Sequence, residues 1–336
     1  MIDLNFRKVD LHLHLDGSLR ISTLYELAIQ NNRIDKDMPL EEFEKLCRVK
    51  DDCGSLADFL SCFDLPLKLM QGEENLTRMA YELVETLAIK NLCYAEIRFA
   101  PQYHSFNGLS QSDVVECVLK GIKDACRDYP SLEVGLILCM ILAVGYDNEK
   151  ENRETIQVTY QYLGKGVVAL DLAGAEGYRE MSEFEELFKE AKKLNIPYTI
   201  HAGESGPAKN VLWALSFSPK RIGHGQAAIH DIEAVNQLKT LGVPIELCVT
   251  SNVQCHVCPS FVGHPIRKLY EAGVIVTVNT DNMTISDTTL VKEYEKLVKY
   301  YRFTREELIE CNVNSINASF MPEENKQRFI DEIRNS

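Results

Sequence analysis

The chain has 336 residues, 45% hydrophobic and 26% charged, a composition that excludes a disordered or low-complexity polymer and allows a large buried core. Acids outnumber bases by 50 to 36, giving a net charge of -14 with no compensating basic block, which argues against a nucleic-acid polymer as partner and leaves small molecules open. The longest apolar run, 134–145, has 12 residues, too short to span a bilayer, and the first ten residues carry no signal-type apolar segment; a cytoplasmic protein with eleven reduced cysteines is expected.

The first β-rich run, KVDLHLHLDG over 8–17, alternates histidines with aliphatics, so that His12 and His14 share one strand face and Val9, Leu11, Leu13 and Leu15 the other. Two imidazoles at the end of a rigid strand suit a metal ion. Helical patterns follow over 22–31, 40–49, 55–70 and 73–90, with Ser22 and Ser55 as expected N-caps. Leu56, Phe59, Leu60 and Phe63 recur at helical spacing, a stripe that by itself reads as core. The insertion, about 18–92, is nevertheless placed to cover a site at the strand ends.

Seven further β-rich runs lie at 94–99, 134–141, 167–172, 198–201, 221–224, 244–249 and 274–279. Helical patterns at 111–129, 151–163, 182–194, 231–241 and 265–272 separate them, and two closing helices at 288–301 and 305–320 end the pattern. Eight β/α units predict an α/β fold, a (β/α)8 TIM barrel, as a single domain over 1–336 with a helical lid insertion and closing helices from about 286. A doubly wound sheet is disfavoured, because no G-x-G-x-x-G corner follows the first strand.

Polar residues gather at the carboxyl ends of several runs, where barrel enzymes assemble their sites. His12, His14, His201 and Asp281 offer three nitrogens and one carboxylate, a donor set for Zn2+ or a neighbouring transition ion, which lowers the pKa of a bound water to about 7. Glu204, in HAGE, is placed to donate a proton to a substrate beside the metal; His224, in RIGHG, to hold the water; Asp281 to accept its proton; and Gly174 to offer a backbone N–H to a flat ring. His104, His230, His256 and His264 lie in loop or helical contexts and read as structural.

At these residues the chain resembles the adenosine deaminase family, in particular its bacterial members. The resemblance runs through LHLHLDG (11–17), SLADFLSCF (55–63), DLAGAE (171–176), HAGE (201–204), RIGHG (221–225), TSN (250–252) and NTDN (279–282), in the family's order and over nearly the whole length. It implies a barrel holding one zinc and hydrolytic deamination of adenosine or deoxyadenosine to inosine or deoxyinosine. It implies His12, His14, His201 and Asp281 as ligands and Glu204 as the acid that protonates purine N1. It also implies Gly174 at N3, Asp16 at the ribose 5′-hydroxyl, and Phe59, with its neighbour Leu56, in an apolar lid over substrate lying beside His14. Two departures stand out: Asn282 where many relatives carry a second acid near N7, and Ala175 where an acid is frequent. The Asn282 amide can donate to N7 without needing a proton.

The alternatives are deamination of adenine, methylthioadenosine, S-adenosylhomocysteine or N6-methyl-AMP on the same scaffold, and a catalytically silent nucleoside-binding barrel. The other zinc deaminase class, built on H-x-E and P-C-x-x-C, fails at its first part, because Ala202, Gly203 and Glu204 follow His201; Cys255 and Cys258 alone are a weak motif.

Overall fold

Eight short parallel strands carry the chain around a ring, and the computed structural model describes residues 2–50, 53 and 55–336 of it. The strands are β1 (Lys8–His14), β2 (Leu92–Phe99), β3 (Glu133–Leu142), β4 (Val167–Gly174), β5 (Thr199–Ala202), β6 (Arg221–His224), β7 (Ile245–Leu247) and β8 (Val276–Val278). They pair in parallel as two four-stranded sheets, β1-β2-β3-β4 and β5-β6-β7-β8. Isolated pairings join the sheets at both seams, Leu170 with Tyr198 and Leu13 with Asp281. At the second seam His14 N–H donates to Asp281 O at 2.7 Å and Asp281 N–H to His12 O at 2.8 Å. The ring is thereby closed as a (β/α)8 barrel, with no open sheet edge at either seam.

Among the described residues, five helices lie between β1 and β2: α1 (Ile21–Gln30), α2 (Leu40–Cys47), α3 (Leu56–Ser61), α4 (Asp64–Leu69) and α5 (Glu73–Ile89). The expected single helix over 55–70 breaks at Cys62 and Phe63, because Pro66 has no N–H to donate to the Cys62 carbonyl and its ring crowds that carbonyl. Ser55 caps α3 as expected, accepting from Asp58 N–H. Ser22 does not cap α1; Arg20 is the extended residue before the helix, and Ser22 sits exposed in its first turn.

The remaining helices are α6 (Gln111–Asp128), α7 (Glu149–Tyr162), α8 (Glu185–Lys193), α9 (Ala208–Ser216), α10 (Ile232–Leu241), α11 (Val249–Gln254), α12 (Ile266–Glu271), α13 (Leu290–Tyr301), α14 (Arg305–Ala318) and α15 (Glu323–Arg334). Three of them, α9, α11 and α15, stand where no helical pattern was expected. In α11 the run VTSNVQ is rich in β-branched residues and continues the strand-like pattern of β7 in sequence, yet it turns helical beside Glu293, which accepts from Thr250 N–H.

Apolar side chains fill two large clusters outside the strands, one against β1–β4 through α1, α5 and α6, the other against β4–β8 through α8–α14. The last helices seal the bottom, where Phe329, Ile330 and Ile333 pack on Val9, Leu11 and Tyr94. Where α5 meets α6, Gly121 leaves no room for a side chain: a Cβ there lies 2.2 Å from the Thr77 carbonyl oxygen and 2.9 Å from Ala80 Cβ. Gly121→Val is therefore expected to cost about 1–3 kcal/mol by forcing the helices apart, seen as a lower midpoint in thermal unfolding while metal content stays unchanged.

Candidate active site

Four predicted ligands meet at the carboxyl end of the barrel. His14 Nε2 lies 3.3 Å from His201 Nε2, and Asp281 Oδ1 lies 3.6 Å from His12 Nε2 and 3.5 Å from His14 Nε2. His12 Nε2 is buried with no hydrogen-bond partner. Donors bonded at about 2.0–2.1 Å to one tetrahedral ion are about 3.3–3.4 Å apart, so the spacing and the orphaned nitrogen both fit a first-row divalent cation. Burial also pushes the His14 imidazole down to about 3, so it presents a lone pair at neutral pH.

Two of the three candidate ligand histidines are aimed from below by carboxylates. His12 Nδ1 donates to Glu246 Oε2 at 2.8 Å and His201 Nδ1 to Asp171 Oδ2 at 3.0 Å, which turns each Nε2 toward the centre. Arg98 bridges those two acids, Nη1 to Asp171 Oδ2 and Nη2 to Glu246 Oε2, both at 2.9 Å. Arg221 adds Nε to Glu246 Oε1 at 2.5 Å and Nη2 to Glu96 Oε2 at 2.6 Å. All five groups are fully buried. Burial alone raises the Asp171 carboxyl, but His201 and Arg98 hold it far below the ordinary carboxylate range, and Arg98 and Arg221 do the same for Glu246.

Glu204 and His224 stand on the other side of the ligands, His224 Nε2 3.6 Å from Glu204 Oε1. The His224 tautomer follows from a backbone donor two residues away in the network. Ile266 N–H donates to His264 Nδ1 at 3.1 Å, so His264 must carry its proton on Nε2 and donate to Asn252 Oδ1 at 3.0 Å. That leaves Asn252 Nδ2 to donate to His224 Nδ1 at 3.0 Å, and His224 carries its own proton on the Nε2 that faces Glu204. Burial holds both imidazoles neutral, His264 down at about 3 and His224 well below its usual value. Burial, then the nearby Asp281 charge, pushes the Glu204 carboxyl up to about 8. Two of these groups sit on strained backbone, His224 at φ 58° and Asp281 at φ 62°, a left-handed conformation that non-glycine residues adopt at a cost.

The cavity has a narrow inner lobe of about 50 Å³, bordered by His14, His201, Glu204, His224, Asp281 and Asn282 and roofed by Leu56, Phe59, Leu60 and Phe63. The lid stripe is both core and wall: Phe59 packs on Cys53, Cys255 and Ile285 while facing the lobe. An outer lobe of about 410 Å³ continues from it past Gly174, Asp16, Tyr103 and Tyr146, and among the described residues no lysine or arginine borders either lobe. Gly174 has φ 113°, and a Cβ there falls 2.8 Å from the Leu142 carbonyl oxygen. Asn282 lies against Gly17, where a Cβ falls 1.8 Å from its Oδ1. Asp16 Oδ1 is buried without a partner, and its Oδ2 is 3.8 Å from the equally unpartnered Nε2 of His104.

All predicted site residues thus border one cavity or its metal-sized centre. Arg98, Glu246, Asn252, His264 and His104 were not singled out as functional. The signal for the first two was a charge inside an apolar strand run, LCYAEIRF and PIELCV, since buried parallel strands are ordinarily apolar throughout. His264 is a buried, hydrogen-bonded residue as expected and in addition takes part in placing the His224 proton; His230 and His256 are exposed, and His104 departs from expectation by facing Asp16. Cys255 and Cys258 are free thiols, and among the described residues neither belongs to a group of potential metal ligands.

Residues 7–336 match the adenosine deaminase family model. The chain belongs to the adenosine deaminase family. It is 39% identical over 332 residues to an adenosine deaminase of Haemophilus ducreyi, covering 97% of this chain and 95% of that one. Among solved structures, adenine deaminase from Arthrobacter aurescens superposes with a TM-score of 0.88 at 26% identity, over 98% of each chain. The N6-methyl-AMP deaminase of Arabidopsis thaliana superposes with a TM-score of 0.84 at 28% identity, over 98% of this chain and 97% of that one. Family membership makes the chain a metal-dependent hydrolase, and the donor set described above is where its own residues can hold the ion.

Because Asp171 bonds His201 at Nδ1 and is not itself among the candidate ligands, Asp171→Asn is expected to weaken metal binding by about 10–100-fold with the fold retained; competition with a chromophoric chelator measures it.

Proposed function

We propose that the protein hydrolyses adenosine and deoxyadenosine to inosine and deoxyinosine with release of ammonia, using one Zn2+ held by His12, His14, His201 and Asp281. The observation that carries this reading is the placement of Glu204, its carboxyl pushed up to about 8 by burial, beside that donor set in a narrow lobe roofed by apolar side chains. When bound, the ion supplies Lewis acidity and a water that ionises near neutral pH. The remaining roles belong to the chain's own residues.

Glu204 gives its proton to purine N1, which draws electron density from C6 and opens that carbon to an oxygen nucleophile. His224, with its proton on Nε2, holds that oxygen by donating to it, so the proton released from the oxygen goes to the ionised Asp281 instead. Gly174 N–H and the Asn282 amide hold the ring at N3 and N7, and the roof of Leu56, Phe59, Leu60 and Phe63 excludes bulk water, so that the helices between β1 and β2 act as a lid. Asp281 then passes its proton to the 6-amino group, the C6–N bond breaks to release ammonia, and the C6 hydroxyl returns a proton to Glu204 as the carbonyl forms, so that both carboxyls end as they began.

The nucleoside is favoured over its relatives by the outer lobe. Asp16 Oδ1, buried and unpartnered, suits a ribose hydroxyl, which a free base lacks. Among the described residues, two carboxylates, Asp16 and Asp64, and no lysine or arginine border this lobe, an unfavourable setting for a 5′-phosphate. A role in purine salvage in the cytoplasm is consistent with eleven unpaired thiols, and no helix among the described residues is long and apolar enough to cross a membrane.

A purine panel tests the substrate: adenosine is expected to exceed adenine and AMP in kcat/KM, and adenine or AMP outrunning adenosine overturns the assignment. Glu204→Gln is expected to keep the metal and lose at least about 10²-fold in kcat/KM. The acid acts in its protonated form, so on this limb kcat/KM stays level below pH 8 and falls as pH rises through about 8, where Glu204 ionises.

A further inference from the structure

The HAGE corner, residues 201–204, is wrapped around a carboxylate from another strand end. Glu176, 7% exposed, follows β4 and extends its side chain beneath the loop that leaves β5. Its Oε1 accepts from Gly203 N–H at 2.8 Å and from Asn210 Nδ2 at 2.8 Å. Its Oε2 accepts from the N–H groups of Glu204 at 2.8 Å, Ser205 at 2.9 Å and Gly206 at 2.8 Å. Ser205 Oγ adds a bond to the Glu176 carbonyl oxygen at 3.2 Å. Four consecutive backbone donors aimed at one anion form a nest, and each bond is charge-assisted.

Two glycines make the nest possible. Gly203 turns the chain at φ 67°, and at Gly206 a Cβ would sit 2.6 Å from Glu176 Oε1. The other end of the Glu204 peptide is held as well, since Gln226 Nε2 donates to the Glu204 carbonyl oxygen at 2.7 Å. Glu204 therefore has both its main-chain groups fixed by side chains from neighbouring strand ends. Glu176 borders neither lobe of the cavity. It stands two residues after Gly174, and its own N–H donates to the Gly174 carbonyl oxygen at 3.0 Å.

We infer that Glu176 is a positioning residue for the reaction: its carboxylate locks the loop carrying the N1 acid, Glu204, to the strand end carrying the N3 donor, Gly174. The two groups assigned to N1 and N3, the ring nitrogens on either side of C2, are thereby held at a fixed separation. A shift of about 1 Å in a reacting group costs on the order of 10²-fold in rate, so the lock acts on turnover rather than on affinity. The inference rests on the assignment of Glu204 as the acid, and its test separates the two.

A double-mutant cycle joins Glu176→Gln with Glu204→Gln, run on whichever 6-aminopurine the wild type turns over fastest, with metal content measured in every variant. Glu176→Gln puts an amide N–H among the nest's donors. It is expected to lower kcat by about 10- to 10²-fold with KM within about threefold, and to cost less than about threefold once Glu204 is already Gln. Equal losses in both backgrounds, or unchanged kcat in the single variant, overturn the positioning role. Near-normal turnover in Glu204→Gln alone overturns the acid assignment instead. If Glu176→Gln does not fold, Asn210→Ala removes one side-chain donor and leaves the backbone nest; a loss of several-fold in kcat confined to the Glu204 background is expected, and none overturns the role. Amide hydrogen exchange gives a reading independent of substrate. In Glu176→Gln, or in Asn210→Ala if that is the variant obtained, residues 203–206 are expected to lose protection while the strands keep theirs, and unchanged exchange there contradicts the lock.

Discussion

A guanidinium buried at the centre of the barrel holds the site together. Arg98 lies between Asp171 and Glu246, and each acid aims one candidate ligand histidine, so the ring nitrogens of His201 and His12 are set by a single cation. Three charges without solvent are tolerable only because each is paired and hydrogen-bonded; removing any one strands the others. Arg221 and Glu96 extend the pairing toward the closed end, where Phe320 N–H and Tyr94 Oη donate to Glu96. The barrel thus has a polar axis inside an apolar shell, and the metal-sized centre is the upper terminus of that axis.

Rigidity below is matched by constraint at the rim. Asp281 is bonded through its main chain to both His12 and His14, so the seam that closes the barrel also brings the carboxylate ligand to the histidines. His224 has its proton placed by a relay that starts at a backbone N–H and passes through His264 and Asn252. Left-handed φ angles at His224 and Asp281 store strain that the surrounding bonds sustain. A site assembled in this way offers its donors before a substrate arrives, which is where preorganised electrostatic stabilisation comes from.

Much of this could be read from residues alone. All eight strands lie at the runs that alternation and apolar content marked, and His12, His14, His201, Glu204, His224 and Asp281 converge because strand ends converge in a closed barrel. What escaped were features that depend on long-range pairing. Arg98 and Glu246 each look like an interruption of a strand until their partners on β4 and β1 are known. Helix α11 carries a β-type sequence, and its first turn is held by Glu293 of α13, which accepts from Thr250 N–H. The break between α3 and α4 follows from Pro66, a signal that the apolar spacing over 55–70 does not carry. Glu176 sat within a recognised motif without a role, since its partners are backbone N–H groups and leave no mark in side-chain pattern.

The most direct measurement is the ultraviolet absorbance of adenosine mixed with purified protein, in three preparations: as isolated with metal, stripped by chelator, and stripped then given Zn2+. The predicted result is loss of the adenosine band with stoichiometric ammonia in the first, silence in the second and recovery in the third. An unchanged adenosine band with fully metal-loaded protein, or undiminished turnover after stripping, contradicts the account.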